Sequence, residues 1–206
     1  AEATTAANRA LELDPSLADA HSTLGMIRSH SGDLAGGLRA VRKALELNPG
    51  LALAHHYLGR ILYAYERHAE ALAAMSTAAS LDPLSMFNRG CVGDALYYAR
   101  EYEKSVLHYR MAIELDPRYA FAHVWLARTL AIQWIFLWDA RAETLERAFE
   151  HARMAVDLDP QMPFAYSVLG WVQLWRKQEE ASIAAGLRAV ALDPNNADAH
   201  LFLSMT

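Results

Sequence analysis

The chain holds nine histidines, one cysteine and several close carboxylates, the residue types from which metal and acid–base sites are built. Their spacing does not assemble such a site. His55 and His56 are adjacent, so on a helix their side chains lie ~100° apart. Neither a His-Glu-x-x-His nor a Cys-x-x-Cys pair occurs. His21, His55, His123 and His200 stand at one place in a repeating pattern, which a shared packing role explains. Cys91 has no base near it in sequence and reads as a packed thiol. As the single cysteine it excludes an internal disulfide and fits a reducing, cytoplasmic setting. Gly36-Gly37 lacks the Lys-Ser/Thr of a phosphate loop. Glu101, Glu103, Glu179 and Glu180 read as solvated groups near helix turns. No catalytic residue, cofactor or metal is expected, and the chain reads as a non-enzyme.

Composition narrows the class further. The 206 residues suit one domain or one uninterrupted array. With 53% hydrophobic and 21% charged residues, intrinsic disorder is excluded. The 39 alanines favour helix, and 10 Gly with 7 Pro leave little for a many-turned β fold. A net charge of −5 argues against direct nucleic-acid binding. The longest strongly apolar stretch, Leu130 to Trp138, is too short to span a bilayer, so no membrane insertion is expected.

The elements that position these residues come from an internal repeat. Six segments end alike: Leu-Glu-Leu-Asp-Pro15, Leu-Glu-Leu-Asn-Pro49, Ser-Leu-Asp-Pro83, Ile-Glu-Leu-Asp-Pro117, Val-Asp-Leu-Asp-Pro160 and Val-Ala-Leu-Asp-Pro194. The prolines lie 34, 34, 34, 43 and 34 residues apart, so one unit carries nine extra residues. Each unit reads as two helices. The first carries a small residue at Gly25, Gly59, Gly93, Ala127 and Gly170. Glycine inside a helix costs about 0.5–1 kcal/mol against Ala, so its recurrence signals a closely approaching neighbour. The second keeps Ala10, Ala44, Ala78, Ala112, Ala155 and Ala189, each followed three residues later by Leu, a spacing that predicts one shared face. Asp or Asn before Pro ends the pair, because the residue before Pro is biased away from the helical region.

The 34-residue period, the Leu-Gly of the first helix, the Ala of the second and the closing Pro resemble the tetratricopeptide repeat over essentially the whole chain. The resemblance implies an all-α fold, a right-handed α-solenoid of antiparallel helix pairs running 1–206 as a single array. Its units are 18–51, 52–85, 86–119, 120–162 and 163–196, with partial units at 1–17 and 197–206. The usual first-helix Trp is replaced by His21, His55, Arg89, His123, Tyr166 and His200. The open ends lead us to expect a fragment of a longer protein. Leu81–Ser85, Ala95–Tyr102 and Trp171–Trp175 resemble, more loosely, the repeat arrays of bacterial class III nucleotide cyclases and winged-helix transcription regulators, which implies a signalling or regulatory setting.

In this repeat the first helices line a concave groove, and the resemblance assigns positions 2, 5, 9, 12 and 13 of each unit to it. Those positions include His56, Arg60, Tyr63, Phe87, Asp94, Tyr97 and Tyr98, then Phe121, Arg128, Phe164, Trp171 and Trp175. Aromatics with arginine in a concavity suit a protein or peptide partner. Arg60 and Arg128 are expected to select an acidic or C-terminal group. The Lys and Asn with which some relatives hold a C-terminal carboxylate are absent. Self-association into a homo-oligomer, through the uncapped ends and the inserted hairpin, is the alternative.

The nine extra residues fall between Leu130 and Ala148. Without Gly or Pro there, both antiparallel helices are expected to lengthen by four or five residues. Trp134, Ile135, Phe136, Leu137 and Trp138 are consecutive and apolar, so some must face outward. Trp134, Phe136 and Trp138 are the expected contact residues, with Trp138 the exposed anchor.

Overall fold

The Asp-Pro punctuation of the sequence becomes a series of α-helices in the computed structural model, which describes residues 2–136 and 138–205. Among these residues there are twelve helices and no strand: α1(Glu2–Leu13), α2(Ala18–His30), α3(Leu34–Leu47), α4(Ala52–Ala64), α5(His68–Leu81), α6(Met86–Tyr98), α7(Tyr102–Leu115), α8(Ala120–Ile135), α9(Ala142–Leu158), α10(Pro163–Trp175), α11(Glu179–Leu192) and α12(Ala197–Leu203). The fold is the all-α helical repeat expected from the periodicity. The chain forms two compact units, the first up to Ala99 and the second from Arg100. In the first, α2 packs on α3, α4 on α5, and α2 also touches α4. In the second, α8 packs on α9 and α10 on α11, while α10 touches both α8 and α12.

Glycine marks the close approaches within pairs. A Cβ at Gly59 would lie 2.6 Å from Met75 Cγ and 3.1 Å from the Ala71 carbonyl. At Gly170 it would lie 2.5 Å from Phe202 Cζ and 3.1 Å from the Ser182 carbonyl. Ala44, Ala78, Ala112, Ala155 and Ala189 are fully buried, as the repeated alanine predicts. The leucines three residues later depart from expectation. Leu13, Leu47, Leu81 and Leu115 are exposed. Each is the last residue of its helix, where the neighbouring chain has already turned away.

Each joint between pairs is built from local bonds. The residue before Pro leaves helical geometry, with φ of −140° at Asn48, −141° at Asp116 and −135° at Asp159. At five of the six joints its side chain then accepts the N–H two residues on: Ser16 to Asp14 (2.9 Å), Gly50 to Asn48 (3.0 Å), Arg118 to Asp116 (2.8 Å), Gln161 to Asp159 (3.0 Å) and Asn195 to Asp193 (3.0 Å). Helix starts use Ser85, Asp33 and Asn196 as side-chain caps, and Pro163 opens α10 where its missing N–H costs nothing.

The insertion resolves differently from the expected lengthening. α8 has 16 residues where α2, α4, α6 and α10 have 13, and α9 has 17 where α3, α5, α7 and α11 have 14. The connector spans 136–141, six residues, where the corresponding turns hold three. The nine residues are thus shared equally among two helices and a turn. Arg176, stacked 3.7 Å from the Phe149 ring and paired through Nε and Nη2 with Glu146, ties α9 to the end of α10.

Candidate functional site

The recurring histidines have a definite role in holding the first helix of each pair. His21, His55, His123 and His200 donate Nε2–H to the carbonyl of the proline six residues earlier, at 2.9, 2.8, 3.1 and 3.0 Å. A carbonyl only accepts, so Nε2 carries the proton in each ring. The signal is present in the constant Pro-to-His spacing of six. Among the described residues, no cluster of three or more His, Cys, Asp or Glu could hold a metal ion. Cys91 is buried, and burial together with Asp94 pushes its thiol up to about 12. It is an inert packed group.

In the first unit, α4 and α6 present an aromatic face. Phe87 is 43% exposed and leans on His56, ring centroids 4.6 Å apart. Tyr98 is exposed and packs on Tyr63 at 5.2 Å and edge-on to Tyr97 at 5.3 Å. Burial, with Tyr98 and Asp94 beside it, pushes the Tyr63 hydroxyl up to about 12. Asp94 is half-buried. Two expected contact residues lie inside instead. His56 is 1% exposed and both ring nitrogens are without a partner; burial first, then Arg60, holds it down to about 4. Tyr97 is buried as well. Neither can meet a partner directly. Arg60 is exposed, but its guanidinium donates to His30 Nε2 at 3.3 Å, while His30 Nδ1–H donates to the Met26 carbonyl.

In the second unit, α8 and α10 carry a continuous aromatic run. Tyr119 stacks on Phe121 at 5.7 Å, Phe121 meets Trp125 at 6.1 Å, and Trp125 meets Phe164 at 5.0 Å. Arg128 lies over Phe164 at 5.3 Å and over Trp125 at 5.9 Å. Its Nη1 is 2.9 Å from Asp198 on α12, so its charge is already met within the protein. Beside this ion pair is a cavity of about 120 Å³ lined by Val168, Trp171, Leu201, Phe202 and Met205. Phe121, Phe164 and Trp171 are half-buried, and Trp175 is exposed at the end of α10. Trp134 turns inward against the core and meets Trp175 edge-on at 6.1 Å. Phe136 and Trp138 remain exposed; Leu137 lies outside the described residues. The α12 contributions to the cavity fall in the last partial unit, which the groove assignment from complete units does not reach.

Antiparallel pairs joined by Asp-Pro turns, with small residues at the pair contacts, define the fold of tetratricopeptide-repeat proteins. The chain is similar in structure to YrrB, described as a TPR protein with an unusual peptide-binding site, at TM-score 0.68 and 19% identity over 99% of this chain and 100% of that one. It is also similar to PilF of Pseudomonas aeruginosa, with TM-score 0.78 and 18% identity over 97% and 87% of the two chains. TTC0263 of Thermus thermophilus aligns with TM-score 0.72 and 18% identity over 91% and 97%. At these identities the likeness is one of fold. No family model matches the sequence, and no curated protein matches it.

Proposed function

We propose that this chain is a scaffold that binds a protein or peptide along the first-helix faces of its repeats. The observation that carries the reading is the apolar cavity beside Arg128 and Asp198, small enough for a single side chain and walled by Trp171 and Phe202. A peptide residue entering it would bury apolar surface, while Phe164 and Phe121 offer flanking contact. The unusual peptide-binding site in the description of YrrB, on the same fold, supports the same direction. The expected preference for acidic ligands is narrowed: Arg128 is neutralised by Asp198, so the second unit favours an apolar anchor over a carboxylate. The looser resemblance to arrays on nucleotide cyclases and winged-helix regulators supports a place in a larger bacterial signalling or regulatory protein. The single buried Cys91 suits a cytoplasmic one.

Panning a displayed peptide library on the immobilised chain, followed by calorimetry of the selected sequences, tests the reading. Selected peptides should share an apolar anchor and lose at least about tenfold affinity to Trp171→Ala. Peptides that bind wild type and Trp171→Ala equally would overturn the cavity's role. A second reading, self-association, rests on Leu187, Leu201 and Met205, all exposed on or just after α11 and α12. Sedimentation showing a concentration-dependent mass that Leu201→Lys abolishes would favour it.

A further inference from the structure

The aromatic end of the inserted hairpin is built differently from the faces described so far. Phe136 is 62% and Trp138 61% exposed, yet the rings are ordered against one another. Phe136 stacks on Trp138 at 5.4 Å with 24° between planes, and Trp138 stacks on Tyr102 at 5.2 Å and 29°. Trp138, Asp139 and Arg141 of the connector are held by hydrogen bonds. Trp138 and Asp139 both donate backbone N–H to the Gln133 carbonyl, at 3.0 and 3.2 Å, and the Asp139 carboxylate holds Arg141 through two 2.7 Å bonds. Trp138, Tyr102, Gln133 and Arg100 border a cleft of about 280 Å³. That size is near the lower end for ligand sites, about 300 Å³, and suits a piece of chain.

The chemistry of the cleft selects among occupants. Nearly parallel rings do not converge into the cage that a quaternary ammonium needs. The ionic groups at its wall, Arg100, Glu101, Glu103 and Lys104, cancel, and Lys104 is already paired with Glu101 at 2.5 Å. A phosphate-bearing or strongly charged ligand gains nothing there. Three donors remain uncommitted: Trp138 Nε1–H, the Gln133 amide and the Arg100 guanidinium make no side-chain hydrogen bond to any described residue. An occupant that fits has compact apolar rings, no net charge, and carbonyls in want of donors. A proline-rich segment in the polyproline II form has all three, because it makes no internal hydrogen bonds and its prolines carry no N–H.

We propose that the Tyr102–Trp138–Phe136 stack is a docking site for a neutral, proline-rich polypeptide segment, separate from the first-helix faces. Prolyl rings pack against the exposed indole and phenyl rings, and Gln133 and Arg100 donate to the segment's carbonyls.

The test is fluorescence anisotropy of labelled decaproline titrated with the full chain. Saturable binding is expected, absent for a Gly-Ser decamer. Trp138→Ala should weaken it at least about tenfold, Gln133→Ala should weaken it less, and Phe121→Ala, at the opposite end of α8, should leave it unchanged. Circular dichroism confirms that each variant is folded, and Phe136→Ser gives a second disruption should Trp138→Ala fold poorly. No saturable binding, or binding indifferent to both Trp138→Ala and Phe136→Ser, overturns the proposal. So does binding of cellohexaose at this stack with none of decaproline, which would make it a sugar platform. Loss of binding in Phe121→Ala alone would place decaproline on the first-helix face and also overturn it.

Discussion

His123 and His151 meet through their Nδ1 atoms at 2.9 Å, joining α8 to α9. Since His123 spends its Nε2 proton on the Pro117 carbonyl, its Nδ1 accepts and His151 donates. Burial lowers the affinity of both rings for a further proton, and His123, Arg147 and Arg110 around His151 help hold it down to about 4. The unfolded chain takes up that proton near pH 6.5, so the stability is complete above 6.5 and is lost as pH falls toward 4. Denaturant unfolding should show a loss of about 2 kcal/mol between pH 7 and pH 5 from this pair. His151→Leu should reduce the slope to the part that the equally depressed His56 leaves; an unchanged slope would remove the pair as a source.

Gly59→Leu should destabilise the first unit by about 1–3 kcal/mol, because the added side chain must enter space held by Met75 and the Ala71 backbone. Thermal unfolding reads the effect. A melting temperature equal to wild type would mean that α4 and α5 can part without cost.

Asp198→Asn removes the partner of Arg128 and leaves its cation over Phe164 and Trp125. The pair is partly exposed, so folding should lose no more than about 1 kcal/mol. Peptides carrying a carboxylate beside their apolar anchor should gain affinity, and the gain should shrink with added salt. Calorimetry at two ionic strengths checks both; an equal gain for amidated peptides would point to loosened packing instead.

Four of the short turns between consecutive helices use a left-handed residue: Gly32 at φ 90°, Glu66 at 60°, Arg100 at 61° and Lys177 at 60°. Only one of these is glycine. Gly32→Ala should cost about 1 kcal/mol although a Cβ there meets nothing within 4 Å. Lys177→Gly should gain about 0.5–1 kcal/mol for the converse reason. Equilibrium unfolding of the two variants measures both signs.

The helix pairs are legible in the sequence because their determinants are local and periodic: the Asp-Pro stop, the buried Ala44 and its equivalents, and the Gly59 contact all repeat at one spacing. What escapes the pattern depends on individual neighbours. His56 is covered because Phe87 lies across it, and Arg128 is silenced by a residue 70 positions away. A repeat position predicts which way a side chain starts, not what the next helix brings over it. The insertion departs from expectation for another reason. Helix-forming residues on both sides give no hint that Phe136 and Trp138 leave the helix and stack on one another, with Trp138 against Tyr102.

The joints built from Asp, Pro and His also bear on how the chain reaches this fold. Each closes through bonds that span only two and six residues, as at Asn48, Gly50 and His55. Closing so short a loop sacrifices little chain entropy, so a joint can form before any distant contact exists. Several joints can therefore nucleate independently, and structure spreads from each to the adjoining pair. Folding speed is then governed by local pairing rather than by a search for distant partners. A weakened joint such as His55→Ala should slow the rate at which its own two pairs dock while leaving the remaining nuclei intact.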